Sequence, residues 1–271
     1  MKRFGRWSAL WASFYSRDLY RDVVTRWKGI GLLYLMLLLG ICWIPSATRW
    51  VHGLREFAAA EGQALVKQLP TITIAQGVMT ATPSGRHVVR DPDRPDQALL
   101  IIDDSVDSVP SDAALEGLVL TRREFAMLRP SRSERRVWTL GPGADMNVTP
   151  EDAGDFLNSL AVWVPPLLYV CAVAGALVFR VLQALLYGTV AMTYARRHRV
   201  TLSHASAMRL AAVAVTPVVI IRTVLWFGRW EPAWYWTWPA AVLITLAYIA
   251  FGIRAVAGES SLSIHSDAGQ R

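Results

Sequence analysis

The sequence contains little cysteine and little charge. Two of its 271 residues are cysteine and 18% are charged, whereas soluble globular chains average about 25% charged residues. Cys42 and Cys171 both lie within apolar runs, so neither can close a disulfide framework or join a metal site with several ligands. A scaffold held together by disulfides is therefore excluded.

The sequence also lacks the residue spacings that catalytic and metal sites require. Phosphate-binding glycine loops, GxSxG elbows and HExxH pairs do not occur. The histidines are scattered and none has a companion at metal-ligand spacing: His52, His87, His198, His204 and His265. We therefore expect a protein that is not an enzyme and that uses no cofactor and no metal.

Apolar residues are abundant. They make up 53% of the chain, and the mean hydropathy is +0.29. Three windows are almost uncharged over the roughly 20 residues that a helix needs to cross a bilayer, and a fourth contains one arginine. The sequence thus predicts an α-helical integral membrane protein with a four-helix transmembrane bundle. The net charge of +7 lies beside these windows rather than on one soluble face, so no nucleic-acid partner is expected.

Basic clusters predict the orientation. The first 28 residues contain seven Lys and Arg against two Asp, and Arg196, Arg197 and Arg199 form a second cluster. Because positive loops stay in the cytoplasm, both chain ends are expected there, in a multi-pass membrane protein. The predicted segments are a cytoplasmic leader (1–28), the first span (29–47), an extracytoplasmic domain (48–155), a second span with a long cytoplasmic-side extension (156–194), a basic connector (195–206), the third span (207–227), a short external turn (228–233), the fourth span (234–253) and a flexible tail (254–271).

The second span allows two interpretations. Residues 156–194 carry one charge, Arg180, and could form either one long helix or a hairpin of two short spans. A hairpin would place the arginines at 196–199 outside the cell, so the single helix is preferred.

Between the first two spans the composition becomes that of a soluble domain. Residues 49–155 hold 12 Lys and Arg against 16 Asp and Glu. A helical pattern at Leu54–Leu69 ends at Pro70. Strand signals follow at 71–74, 78–82, 99–102, 117–121 and 136–140, with loops at 91–95 and 110–112. These patterns predict a small α+β domain with the helix covering one face of the sheet.

The leader carries an aromatic stripe. Residues at spacings of three and four would share one helix face: Phe4, Trp7, Leu10, Trp11 and Phe14. Either this face lies in the lipid headgroup layer, with Trp7, Trp11 and Phe14 as candidate membrane-surface residues, or it packs on the transmembrane helices. Ser16 is predicted to cap a second short helix, whose aspartate–arginine pairs are expected on a solvated face.

Two arginines interrupt the predicted spans. A charge at the bilayer centre costs at least about 2.5–3.5 kcal/mol and needs a partner or a path to the headgroups. We expect Arg222 to reach the outer headgroups and Arg180 the inner ones. The alternative is that Arg222, beside a helix break at Pro217, faces the bundle interior and binds a lipid phosphate or a carbonyl freed by the proline.

Three carboxylates follow the predicted strand at 99–102. Asp103, Asp104 and Asp107 could hold a hard cation, but the glycine and distal glutamate of an EF-hand loop are missing. A solvated turn at the end of the strand is the preferred interpretation.

Segments at both ends of the chain resemble a known family. Ser13–Asp22 (SFYSRDLYRD) followed by Trp27–Leu35 (WKGIGLLYL) is similar to the opening of a bacterial membrane family catalogued as a domain of unknown function, number 1189. The similarity continues at Leu69–Gly77, Ile101–Asp103 and Arg209–Pro217, and the last of these is also similar to the Yip/Yif-like membrane fold group. Some family members carry a maltodextrin-utilisation label. The resemblance implies the four-span layout and transfers no catalytic residue.

The expected function is a non-enzymatic accessory, scaffold or sensor that couples the envelope-side domain to the membrane. Its expected partners are membrane lipid and an unidentified membrane or envelope protein, and a homo-oligomer is left open. The main alternative is a translocator of lipid or small solutes that uses the Pro217 and Arg222 region. An external metal-dependent enzyme at the three aspartates is the least favoured class.

Overall fold

The structure is a computed structural model that describes residues 4–29, 31–109, 117–129, 134–230 and 233–268. The chain forms two compact units: a helical unit made by residues 1–48 and 167–271, and a β unit made by residues 49–166. In the part of the chain that is described, four helical stretches are long and apolar enough to cross a membrane: Leu32–Val66, Pro150–Arg197, His204–Phe227 and Tyr235–Ala257.

Two short helices open the helical unit, α1 (Arg6–Ala12) and α2 (Arg17–Thr25). The Ser16 hydroxyl caps α2 by accepting a hydrogen bond from the Leu19 amide at 3.3 Å, as the sequence predicts. The exposed Asp18–Arg21 pair (3.4 Å) has the expected solvated character. Asp22 does not, because it is only 3% exposed and accepts a hydrogen bond from the Trp27 indole.

The first candidate span is longer than its apolar run. Helix α3 (Leu32–Phe57) continues through a π-helical turn at Ala58–Gly62 into α4 (Gln63–Val66). Pro45 lies inside α3 without ending it. In the β unit, Gly62 leaves room for Leu157, whose Cδ1 would lie 3.2 Å from a Cβ at that position. The end of this stretch thus packs against the helix of the second candidate span, and Gln68 just beyond it exchanges hydrogen bonds with the backbone of Arg90. That this helix covers one face of the sheet stays a prediction.

The second candidate span is one helix, α5 (Pro150–Arg197), and not a hairpin. Its first turn is closed by a capping box, in which Thr149 and Asp152 exchange hydrogen bonds. The backbone N–H and hydroxyl of Thr149 lower the pKa of the Asp152 carboxyl. Pro165 and Pro166 are accommodated within the helix.

The third span is divided and the fourth is extended. Helix α6 (His204–Ala214) stops at Val215, and α7 (Thr216–Phe227) begins with Pro217 in its first turn. The backbone N–H that proline lacks would have no acceptor within the first turn of a helix, so Pro217 costs α7 no hydrogen bond. Helix α8 runs over Trp234–Ala268. It therefore covers most of the predicted flexible tail, since no proline between Arg254 and Ala268 ends it. The external turn lies between α7 and α8, and its residues 231 and 232 fall outside the described part of the chain.

The core of the helical unit is built around α2, α6 and α8. The Tyr20 ring packs edge-on against Phe251 with centroids 5.5 Å apart, and its hydroxyl donates to the Ser13 carbonyl at 2.7 Å. Burial raises the pKa of this phenol. Gly252 permits the contact, because a Cβ there would lie 2.6 Å from Leu210 Cδ1 and 2.8 Å from Tyr20 Cδ1. The leader is thus part of the helical core.

The β unit contains two sheets. The first has the order β2–β1–β8, from β1 (Thr71–Ala75), β2 (Val78–Thr82) and β8 (Met146–Val148). The second has the order β3–β4–β5–β6–β7, from β3 (Arg86–Arg90), β4 (Ala98–Asp103), β5 (Gly117–Thr121), β6 (Glu124–Arg129) and β7 (Glu134–Thr139). All pairs are antiparallel except β4 with β5. The predicted loop at 110–112 falls outside the described residues.

Strand β4 joins the two cores of the β unit. Ile101 packs with Val119 and Leu128 on one face, whereas Ile102 packs with Ile74 and Met79 of the other sheet. Because alternate side chains of a strand point to opposite faces, a continuous apolar run is what a strand buried on both faces requires.

Candidate functional site

Arg222 lies on α7, one and a half turns after Pro217. Its side chain is exposed on the helical unit. Within the described part of the chain, no acidic side chain forms an ion pair with it. The side chain therefore carries an uncompensated positive charge in an apolar helix, five residues before the helix ends at Phe227.

Arg180 lies on α5. Its guanidinium donates to the amide oxygen of Gln183 and lies 5.6 Å from the centroid of the Phe179 ring. Both partners belong to its own helix. The expectations that Arg222 reaches the outer headgroups and Arg180 the inner ones stay predictions.

The two cysteines are both free. Cys42 on α3 is half-buried and Cys171 on α5 is exposed, so they do not form a disulfide with each other.

A groove of about 230 Å³ runs between α7 and α8 beside Arg222. Its walls are mainly aliphatic, and Arg222 is the charged residue among them. The other principal contributors are Val218, Ile221, Leu225, Trp236 and Ile244. The arrangement combines a hydrocarbon-lined surface with one cation at its edge. Trp236 was foreseen only as part of an aromatic belt.

A second arginine of the third span has a different role. Arg209 on α6 is 7% exposed, and its guanidinium donates to the carbonyls of Val23 (3.0 Å), Val24 (3.1 Å) and Gly29 (2.7 Å). It also donates to Ser206 Oγ at 2.8 Å. The last carbonyls of a helix have no partners within it and carry partial negative charge, so Arg209 caps the C-terminus of α2. Sequence reasoning noted Arg209 only as part of the family resemblance.

The aromatic stripe of the leader is divided between two environments. Trp7 and Trp11 are 66% and 72% exposed, whereas Leu10 is buried and Phe14 is half-buried. The Phe14 carbonyl accepts a hydrogen bond from Tyr248 of α8 at 3.2 Å. The buried members of the stripe thus pack on the helices, whereas its two tryptophans are exposed and stay candidates for contact with the lipid headgroups.

The three aspartates of the β unit have separate structural partners. Asp104 accepts hydrogen bonds from the amides of Ala81 (3.1 Å) and Gly85 (2.7 Å), which lower the pKa of its carboxyl. Asp103 binds the backbone and hydroxyl of Ser105, and Asp107 lies 3.9 Å from Arg122. Among the described residues, no group of three His, Cys, Asp or Glu is placed to hold a metal ion.

In the described part of the chain, four apolar helices of spanning length, two of them with an arginine in their apolar run, are the features of a helical membrane protein. Residues 7–253 match the family described as protein of unknown function, DUF1189. The chain belongs to this family, which confirms the family part of the sequence resemblance. No curated protein and no solved structure matches the chain.

Proposed function

We propose that the protein is a non-enzymatic coupling protein of the bacterial inner membrane, with its β unit on the envelope side. The observation that supports this role is the continuity of two helices across the unit boundaries. The stretch Leu32–Val66 passes residue 48 and α5 passes residue 166 in helical conformation. Near these boundaries Pro45, Pro165 and Pro166 each lack the N–H of one helical hydrogen bond. A change in the β unit would travel along these two helices into the helical unit.

Hydrogen exchange of the full chain in lipid nanodiscs tests the coupling. Ile102 is fully buried in the β unit, and Ile102→Ala should destabilise that unit by about 2–5 kcal/mol. We expect faster exchange in the β unit and also beyond residues 48 and 166. Adding glycines at positions 48 and 49 should stop the change along α3 while it persists along α5. If exchange in the Ile102→Ala protein becomes faster only within the β unit and is unchanged beyond residues 48 and 166, the coupling is refuted.

The orientation is tested by labelling single cysteines in cells. Cys42 and Cys171 are replaced by serine, and Arg90→Cys, His198→Cys and Leu262→Cys are introduced one at a time. A membrane-impermeant maleimide should label position 90 in intact cells and positions 198 and 262 only after permeabilisation. Labelling of position 262 in intact cells would contradict the proposed arrangement.

The non-enzymatic part of the proposal has its own test. Purified protein should not turn over lipid or sugar substrates, and turnover that disappears on substituting one polar side chain would overturn it. A relation to the Yip/Yif-like fold group and the maltodextrin-utilisation label of some family members stay predictions from the sequence resemblance, as does a partner protein in the membrane or envelope.

A second candidate function, translocation of a lipid or solute, is favoured by the broken third span and the charged groove beside it. The test is the flux of a labelled lipid or solute in reconstituted vesicles. If wild type and Arg222→Ala give equal flux, translocation through that groove is excluded.

A further inference from the structure

We propose that the groove between α7 and α8 is a binding site for one anionic phospholipid, whose phosphate pairs with Arg222 and whose acyl chain lies along the aliphatic walls. This inference concerns the helical unit alone and does not depend on coupling to the β unit or on the orientation of the chain.

The size of the groove favours an acyl chain. Pockets for drug-sized molecules are usually about 300–1,000 Å³, and this groove is about 230 Å³. It therefore suits a length of hydrocarbon better than a whole polar solute. Its walls are formed by residues such as Val218, Ile221 and Ile244, which offer the chain an apolar surface without polar groups that need partners.

The charges favour a phosphate. Arg222 is exposed at the groove, and a cation in an apolar helix is stabilised by an anion beside it. No described carboxylate forms an ion pair with Arg222. Guanidinium groups match phosphate oxygens in geometry and charge. Arg222 thus offers the groove a partner for a group of negative charge.

The position of Arg222 favours a lipid headgroup as the source of that phosphate. Five residues separate it from the end of α7 at Phe227, which is about 7.5 Å along the helix axis. Exposed tryptophans lie near this end, at positions 230, 236 and 238, and tryptophans concentrate at the depth of the headgroups. A lipid with its phosphate at Arg222 can therefore keep its headgroup at the interface.

The test uses the full chain, purified in mild detergent and analysed by native mass spectrometry and thermal unfolding with added lipid. The probes are dioleoylphosphatidylglycerol, dioleoylphosphatidylcholine, dioleoylglycerol and inorganic phosphate. We expect one phosphatidylglycerol molecule to be retained and to raise the unfolding temperature, with weaker effects of phosphatidylcholine and none of dioleoylglycerol or inorganic phosphate.

Four variants separate the site from general lipid contact. Arg222→Gln should weaken phosphatidylglycerol binding at least about tenfold, the loss of one charge-assisted hydrogen bond, and Arg222→Lys should restore part of it. Ala240→Trp, which fills the groove without changing the charge, should also weaken binding. Arg254→Gln removes an exposed arginine of α8 that lies outside the groove, and its binding should stay within about twofold of the wild type.

Several results would overturn the proposal. Equal binding by wild type, Arg222→Gln and Ala240→Trp would show that the lipid is not in the groove. An equal loss in Arg254→Gln would show attraction to net charge instead of a site. Stabilisation by inorganic phosphate as strong as by phosphatidylglycerol would identify a free anion and not a lipid. If Arg222→Gln does not fold, Arg222→Lys and Ala240→Trp decide between these outcomes.

Discussion

Replacing Arg209 by methionine removes the cap of α2 while keeping a long apolar side chain. The Val23 and Gly29 carbonyls then lose their guanidinium partner, whereas Val24 still accepts a hydrogen bond from Ser206 at 3.1 Å. A buried carbonyl left without a partner costs about 1–3 kcal/mol. Because the Gly29 contact is only part-buried, we expect a loss of about 2–4 kcal/mol.

The loss is measured as the apparent unfolding temperature of the full chain in detergent, followed by size-exclusion chromatography of heated samples. For a unit of this size, 1 kcal/mol corresponds to about 2–4 °C, so Arg209→Met should unfold about 5–15 °C lower than the wild type. Arg209→Lys should fall between them, because one ammonium group cannot reproduce the planar fork of a guanidinium.

Arg254→Met provides the matched control. Arg254 is exposed, and its guanidinium lies 3.5 Å from the Tyr194 hydroxyl, which is long for a hydrogen bond. The variant should unfold within about 2 °C of the wild type. If Arg209→Met also unfolds within that range, then the guanidinium does not hold the leader on the helical unit and the reasoning is wrong.

Three further predictions concern packing, acid sensitivity and the leader. Gly252→Ala should lower the unfolding temperature, because overpacking costs about 1–3 kcal/mol and the gain in helix propensity is at most about 1 kcal/mol. Gly175→Ala should not lower it, since no atom lies within 4 Å of the new methyl group. The lowered pKa of Asp104 contributes stability that is present above the unfolded pKa of about 3.9 and is lost as pH falls through the folded pKa. Circular dichroism of the full chain from pH 6 to pH 2 should therefore show a smaller acid destabilisation in Asp104→Asn. Replacing Trp7 and Trp11 together by serine should leave the unfolding temperature in detergent within about 2 °C, and a fall as large as that of the Arg209 variant would show that they pack on helices.

Patterns that repeat along the chain predicted most of the fold. The four apolar windows gave four helices of spanning length, and strands β2 and β5 have the predicted bounds. Strands β3 and β6 were missed because charged residues occupy both of their ends, and β8 was missed because it has only three residues. Short or charged strands form through their neighbours, and a single sequence does not contain that information.

Much less of the candidate site could be predicted. The cost of burying charge singled out Arg180 and Arg222, and the helix break at Pro217 follows from the missing N–H of proline. The groove beside Arg222 depends on how α7 packs against α8, which no periodicity encodes. Asp22 pairs with Arg26 at 3.7 Å, as their spacing predicts. Its carboxylate is nevertheless buried, because it also accepts a hydrogen bond from Trp27.

The contacts of the leader have a consequence for the order of folding. Arg21 donates to the carbonyl of Ala255 across 234 residues of sequence, and Tyr20 packs on the same final helix. Helices α1 and α2 thus find part of their partners in a helix that follows them by more than 200 residues. Contacts at such separation form slowly. Because α2 packs on both α6 and α8, we expect its apolar face to stay partly uncovered until both helices have been synthesised.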